Sequence, residues 1–145
     1  MKLNKGSEVY DEKWESCINA TCYTYAFNIY TNQRIYVGDL LYDKRLDTNV
    51  TDQVLVDTIM KEITIWGYKG SIVKDFLGKD FIVCLVRERG KGYYHFYRQI
   101  KENLWTHKKP MELPTSLDWR GEVIFDPSIS AEPGYQVISF FKLEK

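Results

Sequence analysis

Three cysteines and two histidines carry the nucleophilic and proton-transfer chemistry available to this 145-residue chain. The histidines sit in aromatic-rich segments, Tyr94-His95-Phe96-Tyr97-Arg98 and Trp105-Thr106-His107-Lys108. Both segments read as strands, joined by a turn at Lys101-Glu102-Asn103. If that turn is centred near Asn103, His95 lies almost opposite Lys109, and Tyr97 lies opposite His107. Strand side chains alternate faces, so residues 95, 97, 107 and 109 share one face. The two imidazoles then meet diagonally across the strand pair. A slip of one residue would separate them.

Cys22 is the complementary group. Placed at a helix N-terminus beside that sheet, its thiol pKa falls, and a neighbouring imidazole lowers it further. The thiolate attacks, and His95 takes the proton and later delivers it to the leaving group. A third polar group fixes the imidazole tautomer. His107 could fill that role, with Asp118, Asp126 and Asn103 as alternatives. Asn19, three residues before Cys22, could supply an oxyanion donor together with the Cys22 backbone N–H.

Each of these residues also has a plainer reading. Free cysteine is among the most buried residue types, so Cys22 could be a structural thiol on an apolar helix face. Cys17 reads as a partly exposed bystander and Cys84 as core. His95 could be a half-buried histidine bonded across the sheet, and His107 an exposed strand residue. Cys17, Cys22, His95 and His107 lack the tightly spaced pairs of a structural zinc site, so no metal is expected. Lys5-Gly6-Ser7 lacks the upstream glycine and preceding strand of a phosphate loop, and no GxGxxG occurs, so no cofactor is expected.

These residues need elements to hold them. From about Asp11 to Asn28, Trp14, Cys17, Ile18, Thr21, Cys22 and Tyr25 recur at helical spacing. Asn19 and Thr21 are poor helix formers, so the helix could begin nearer Cys22. Residues 30–49 read as a short strand or ordered loop. Thr51 caps a second helix that runs from Asp52 through Trp66 and stops at Gly67. Strands follow: the apolar run Phe81–Val86, then Tyr93–Ile100 after an Arg89-Gly90-Lys91-Gly92 turn, then Leu104–Lys108. A short strand is expected at Glu122–Phe125, and the last runs from Tyr135 to Leu143. No repeat, low-complexity tract or linker interrupts the chain. Residues 1–145 therefore read as a single α+β domain, with two N-terminal helices packed on an antiparallel β-sheet of about five strands.

Composition bounds the function. Twenty basic residues balance twenty acidic ones, whereas a general nucleic-acid binder carries a basic excess. The concentration of Arg87, Arg89, Lys91, Arg98, Lys101, Lys108 and Lys109 is diluted by Glu88, Glu102 and Glu112, and reads as a solvated sheet edge. No run reaches the length of a membrane span. The N-terminus lacks the apolar core of a signal peptide. An odd number of cysteines makes a poor disulfide framework. The expectation is a cytoplasmic protein with reduced thiols, with release or delivery elsewhere as the alternative.

The order of a cysteine on an early helix, a histidine on a sheet strand and a polar orienter on the next strand resembles the papain-like cysteine peptidase superfamily. Locally, Asn19-Ala-Thr-Cys22-Tyr23-Thr24-Tyr25-Ala26 and the two histidine segments resemble small bacterial and phage proteins with a Cys-Tyr-x-Tyr-Ala and a later His-aromatic-Tyr-Arg pattern. The resemblance implies a papain-like fold and a Cys22–His95 dyad. The chain departs from papain itself in lacking a Gln six residues before Cys22 and a Cys-Trp pair. The implied activity is a thiol hydrolase or acyl transferase. Its substrate would be an amide in a protein or peptide: peptide, isopeptide, side-chain amide or peptidoglycan. The rival is a non-enzymatic protein-binding module or inhibitor, phage- or host-directed, engaging its partner through the aromatic face of the sheet or through the Lys/Arg-rich edge.

Overall fold

A computed structural model describes residues 2–4, 8–76, 80–89 and 92–145, and before Tyr10 the backbone alone. The expected turn at Gly90-Lys91 and the Lys5-Gly6-Ser7 segment lie outside the described residues.

The central strand is β4 (Ile82–Glu88), whose apolar run is buried on both faces. It pairs antiparallel with β7 (Tyr135–Glu144) on one side and β5 (Tyr94–Lys101) on the other. The sheet continues outward to β3 (Lys69–Val73) beyond β7 and to β6 (Leu104–Thr106) beyond β5, in the order β3-β7-β4-β5-β6. The alternation of strand side chains sorts the core into two clusters. Val83, Leu85, Phe96 and Phe141 face one way, against helices. Ile82, Cys84, Val86, Tyr97 and Phe140 face the other, against Trp105 and Ile124. A separate two-stranded ribbon, β1 (Lys2–Asn4) with β2 (Glu8–Tyr10), stands at the N-terminus.

Two helices cover the first face. The long one, α3 (Asp52–Ile65), begins where the Thr51 hydroxyl accepts from the Val54 N–H. It buries Leu55, Val56, Ile59 and Ile63 and ends at Gly67, whose φ is +93°. The short one, α1 (Cys22–Ala26), carries Tyr23 and Ala26 into the same cluster. The fold is thus α+β, with an antiparallel five-stranded sheet.

The expected helix over residues 11–28 is instead two pieces. A 3-10 turn covers Glu12–Ser16, and the helix proper starts at Cys22. Thr21 causes the restart: its hydroxyl accepts from the Thr24 N–H and donates to the Ile35 carbonyl at 2.6 Å, which holds it outside helical geometry. Asn28, at φ 59°, follows the helix. Between α1 and α3 lies a one-turn helix, α2 (Asp39–Tyr42), in a stretch that reads as strand or loop. Its partner is remote in sequence. The buried Glu62 carboxylate accepts from the N–H groups of Gly38, Leu40 and Leu41 and from the Tyr23 hydroxyl. Residues 122–125 form only an isolated bridge, Val123 with Leu117, before α4 (Pro127–Ser130). No helix among the described residues is long and apolar enough to cross a membrane.

Candidate functional site

The turn after β5 sets the register on which the histidines depend. Arg98 pairs with Thr106 and Gln99 with Trp105. Continuing that pairing puts Tyr97 across from His107 and leaves His95 one diagonal away. The result is a direct contact: His95 Nε2 lies 2.8 Å from His107 Nδ1. The other nitrogen of His107, Nε2, lies 2.8 Å from the Leu117 carbonyl oxygen.

The chain of contacts assigns the protons. A carbonyl oxygen only accepts, so His107 Nε2 carries a hydrogen. Burial lowers the pKa of His107, and it pushes His95 well below the usual histidine range, with the His107 and Lys109 charges adding to the effect. Both rings are therefore neutral near pH 7. Neutral His107 must then accept at Nδ1, and His95 must donate from Nε2. His95 Nδ1 is left with a bare lone pair, as a general base requires.

Of the candidates for the orienting role, His107 alone touches His95. The Asp118 carboxylate is occupied by the Arg120 guanidinium and by the N–H groups of Arg120 and Glu122. Asp126 caps α4 by accepting from the Ser128 N–H. Asn103 occupies the turn at φ 61°. His107 is buried rather than exposed, with 9% of its surface accessible.

Cys22 occupies the first position of α1 and is half-buried against the helical face of the core. It borders β5, because the backbone N–H of Phe96, the residue after His95, is close enough to favour its thiolate. Among the described residues no hydrogen bond joins the thiol to either imidazole. Burial dominates the electrostatics and pushes the thiol up to about 11. The N–H groups of Phe96, Cys22 and Tyr23 and the charge of Lys108 oppose that rise only in part. This reverses the expected depression. A five-residue helix has too few aligned peptides to offset desolvation of a thiolate. Cys17 is buried, not partly exposed, and Cys84 is core as expected. Asn19 lies in the turn before α1, and its backbone N–H donates to Asn32 Oδ1.

Two cavities flank this strand. One, of about 340 Å³, is lined by His95, His107, Tyr97, Lys109, Glu132 and Trp119. The other, about 120 Å³ and mainly apolar, is lined by Cys22, Leu46, Val50, Leu55 and Tyr36, with Arg45 stacked 3.6 Å over the Tyr36 ring. Tyr94 borders both, its hydroxyl held by the Val37 N–H. Among the described residues no group of three or more His, Cys, Asp or Glu side chains is arranged to hold a metal.

Two members of this site gave no signal in the sequence. A backbone carbonyl such as that of Leu117 has no residue signature. Lys108 stands in a charged run that reads as a solvated edge, yet only 1% of its surface is accessible. No family model matches the chain, and neither do any curated proteins or solved structures.

Proposed function

We propose that the protein is a papain-like thiol hydrolase or acyl transferase acting on an amide bond, with Cys22 as nucleophile and His95 as general base. The observation that carries this reading is the His95–His107–Leu117 chain, which orients one imidazole and leaves its Nδ1 unprotonated beside the strand that the thiol borders.

The chemistry starts from neutral partners, since burial keeps the thiol protonated. Sγ bonds to the amide carbon as its proton passes to His95 Nδ1. Negative charge on the former carbonyl oxygen is met by the Cys22 N–H and the Asn19 side chain. His95 then protonates the departing nitrogen, leaving a thioester that water or an acceptor amine resolves. His95 shares the Tyr97 face of β5 and Cys22 packs with Phe96 on the other, so this reading requires substrate to bring the two together. The leaving amine must sit on the histidine side, in the cavity that carries Lys109 and Glu132. The acyl side chain falls toward the apolar cavity beside Cys22. That cavity is slightly smaller than an engineered 150 Å³ cavity that binds benzene, so it suits one modest apolar side chain.

The test is acylation by p-nitrophenyl acetate, read by intact and peptide mass spectrometry. Cys22 acquires one acetyl group in the native protein, and His95→Gln slows this at least about 100-fold, the usual contribution of a positioned base. Equal acylation of Cys22 in His95→Gln and native protein would remove His95 from the role.

The second reading is a protein-binding module. It is favoured by the protonated thiol, which lacks a bond to the imidazole, and by Trp119, 53% exposed at the rim of the histidine cavity. It predicts no histidine-dependent acylation.

A further inference from the structure

His107 and Lys108 are consecutive, so their side chains leave the chain in opposite directions. His107 reaches His95. Lys108 reaches the other half of the site. Its ammonium donates to the carbonyl oxygens of Ile18 at 2.8 Å and Ala20 at 2.6 Å, and to its neighbour Lys109 at 3.2 Å. The Ile18 carbonyl also accepts from the Met111 N–H at 2.7 Å. Residues 18–21 are the segment that leads into α1, and Thr21 is its cap.

We propose that Lys108 is a positioning residue for Cys22: its buried ammonium ties the segment entering α1 to the same two-residue stretch that orients His95. The functional meaning of this clamp rests on the thiol-hydrolase reading, but the clamp itself does not. One dipeptide would then set the nucleophile and the base relative to each other.

The chemistry of the contact calls for a cation. Three carbonyl oxygens surround the nitrogen, and only an ammonium has three hydrogens to give them. A neutral amine would turn a lone pair toward one oxygen. No carboxylate pairs with Lys108 among the described residues, so its charge is solvated by peptide dipoles instead. The other groups whose charges act on it are Cys17 from the end of the 3-10 turn, Cys22 from α1, Glu112 from the following loop and Arg34 from the loop before α2. Burial outweighs them and lowers Lys108 to about 8. The clamp therefore slackens in mildly alkaline solution.

The experiment compares native protein with Lys108→Met, which keeps the length and removes the charge. Folding is checked by far-ultraviolet circular dichroism. Two rates are then read at Cys22: iodoacetamide alkylation at pH 7, and acylation by p-nitrophenyl acetate. In folded Lys108→Met alkylation at pH 7, where Lys108 is still charged, falls about threefold or more, because a nearby cation no longer favours the thiolate. Acylation falls about tenfold or more, because the nucleophile is misplaced. A folded variant with unchanged alkylation at pH 7 and unchanged acylation overturns the proposal. If native protein shows no His95-dependent acylation, the hydrolase reading fails, while slower alkylation of Lys108→Met at pH 7 still supports the clamp. If Lys108→Met does not fold, native protein labelled on lysine and backbone nitrogen decides by NMR. Amide signals of Asn19, Thr21 and Cys22 that move with the Lys108 titration support the clamp. A Lys108 that titrates without moving them overturns it.

Discussion

The thiol of Cys22 is the most direct place to test the electrostatics of this site. Burial raises it from an ordinary value of 9.0 to about 11. At pH 7 that shift of about two units leaves roughly 100-fold fewer thiolates than an ordinary cysteine would carry. A more basic thiolate is also a better nucleophile, with a Brønsted slope of about 0.4–0.5, which returns roughly six- to tenfold. The net expectation is alkylation about 10- to 15-fold slower at pH 7 than at an unfolded Cys22, before any steric protection. The assay is iodoacetamide labelling from pH 6 to 11.5, with Cys22 resolved from buried Cys17 and Cys84 by peptide mass spectrometry, and urea-unfolded protein as the reference. Dividing native rates by unfolded rates at each pH separates access from ionisation, since access scales the curve while ionisation moves its midpoint. A native midpoint below that of the unfolded chain would refute the reasoning. It would mean that the Phe96, Cys22 and Tyr23 N–H groups and Lys108 outweigh desolvation, and that the resting site holds a preformed thiolate.

The histidine pair predicts an acid limb of stability. Both groups have folded pKa values below their unfolded ones, so below about pH 6.5 the unfolded chain binds protons that the native chain refuses. Stability then falls with decreasing pH at up to about 1.4 kcal/mol per unit for each histidine. Urea unfolding between pH 4.5 and 7.5 should show a slope that flattens in a folded His95→Asn/His107→Asn variant; an unchanged slope would contradict it. Glu62 predicts a structural loss distant from the thiol. Glu62→Ala strips the acceptor from three N–H groups and the Tyr23 hydroxyl, at about 1–3 kcal/mol for each donor left dry, and should lower the urea midpoint sharply while α2 loses its hydrogen-exchange protection. A change of less than about 1 kcal/mol would show that water replaces the carboxylate without cost.

What the sequence by itself determined is what depends on period and on neighbours close along the chain. The second helix is readable from Thr51 to Gly67, because cap, apolar face and stop all lie within its own residues. The strand at 82–88 is readable from an apolar run too short for a helix and buried on both faces. The meeting of His95 with His107 is also local: a tight turn fixes the register and alternation fixes the face, so twelve residues suffice to bring two imidazoles together.

Contacts across long separations were decided only in three dimensions. The helix at Asp39–Tyr42 exists because a carboxylate more than twenty residues later accepts its first N–H groups, which no window around residue 40 contains. Lys108 is a buried cation rather than a surface charge because carbonyls ninety residues earlier converge on it. The Cys22 thiol is raised rather than lowered because a helix start attracts anions only to the extent that the surroundings leave them solvated, and the surroundings are supplied by the sheet. Ionisation depends on everything within reach of a charge. The sequence states the charge itself, and the tertiary structure alone states what lies within its reach.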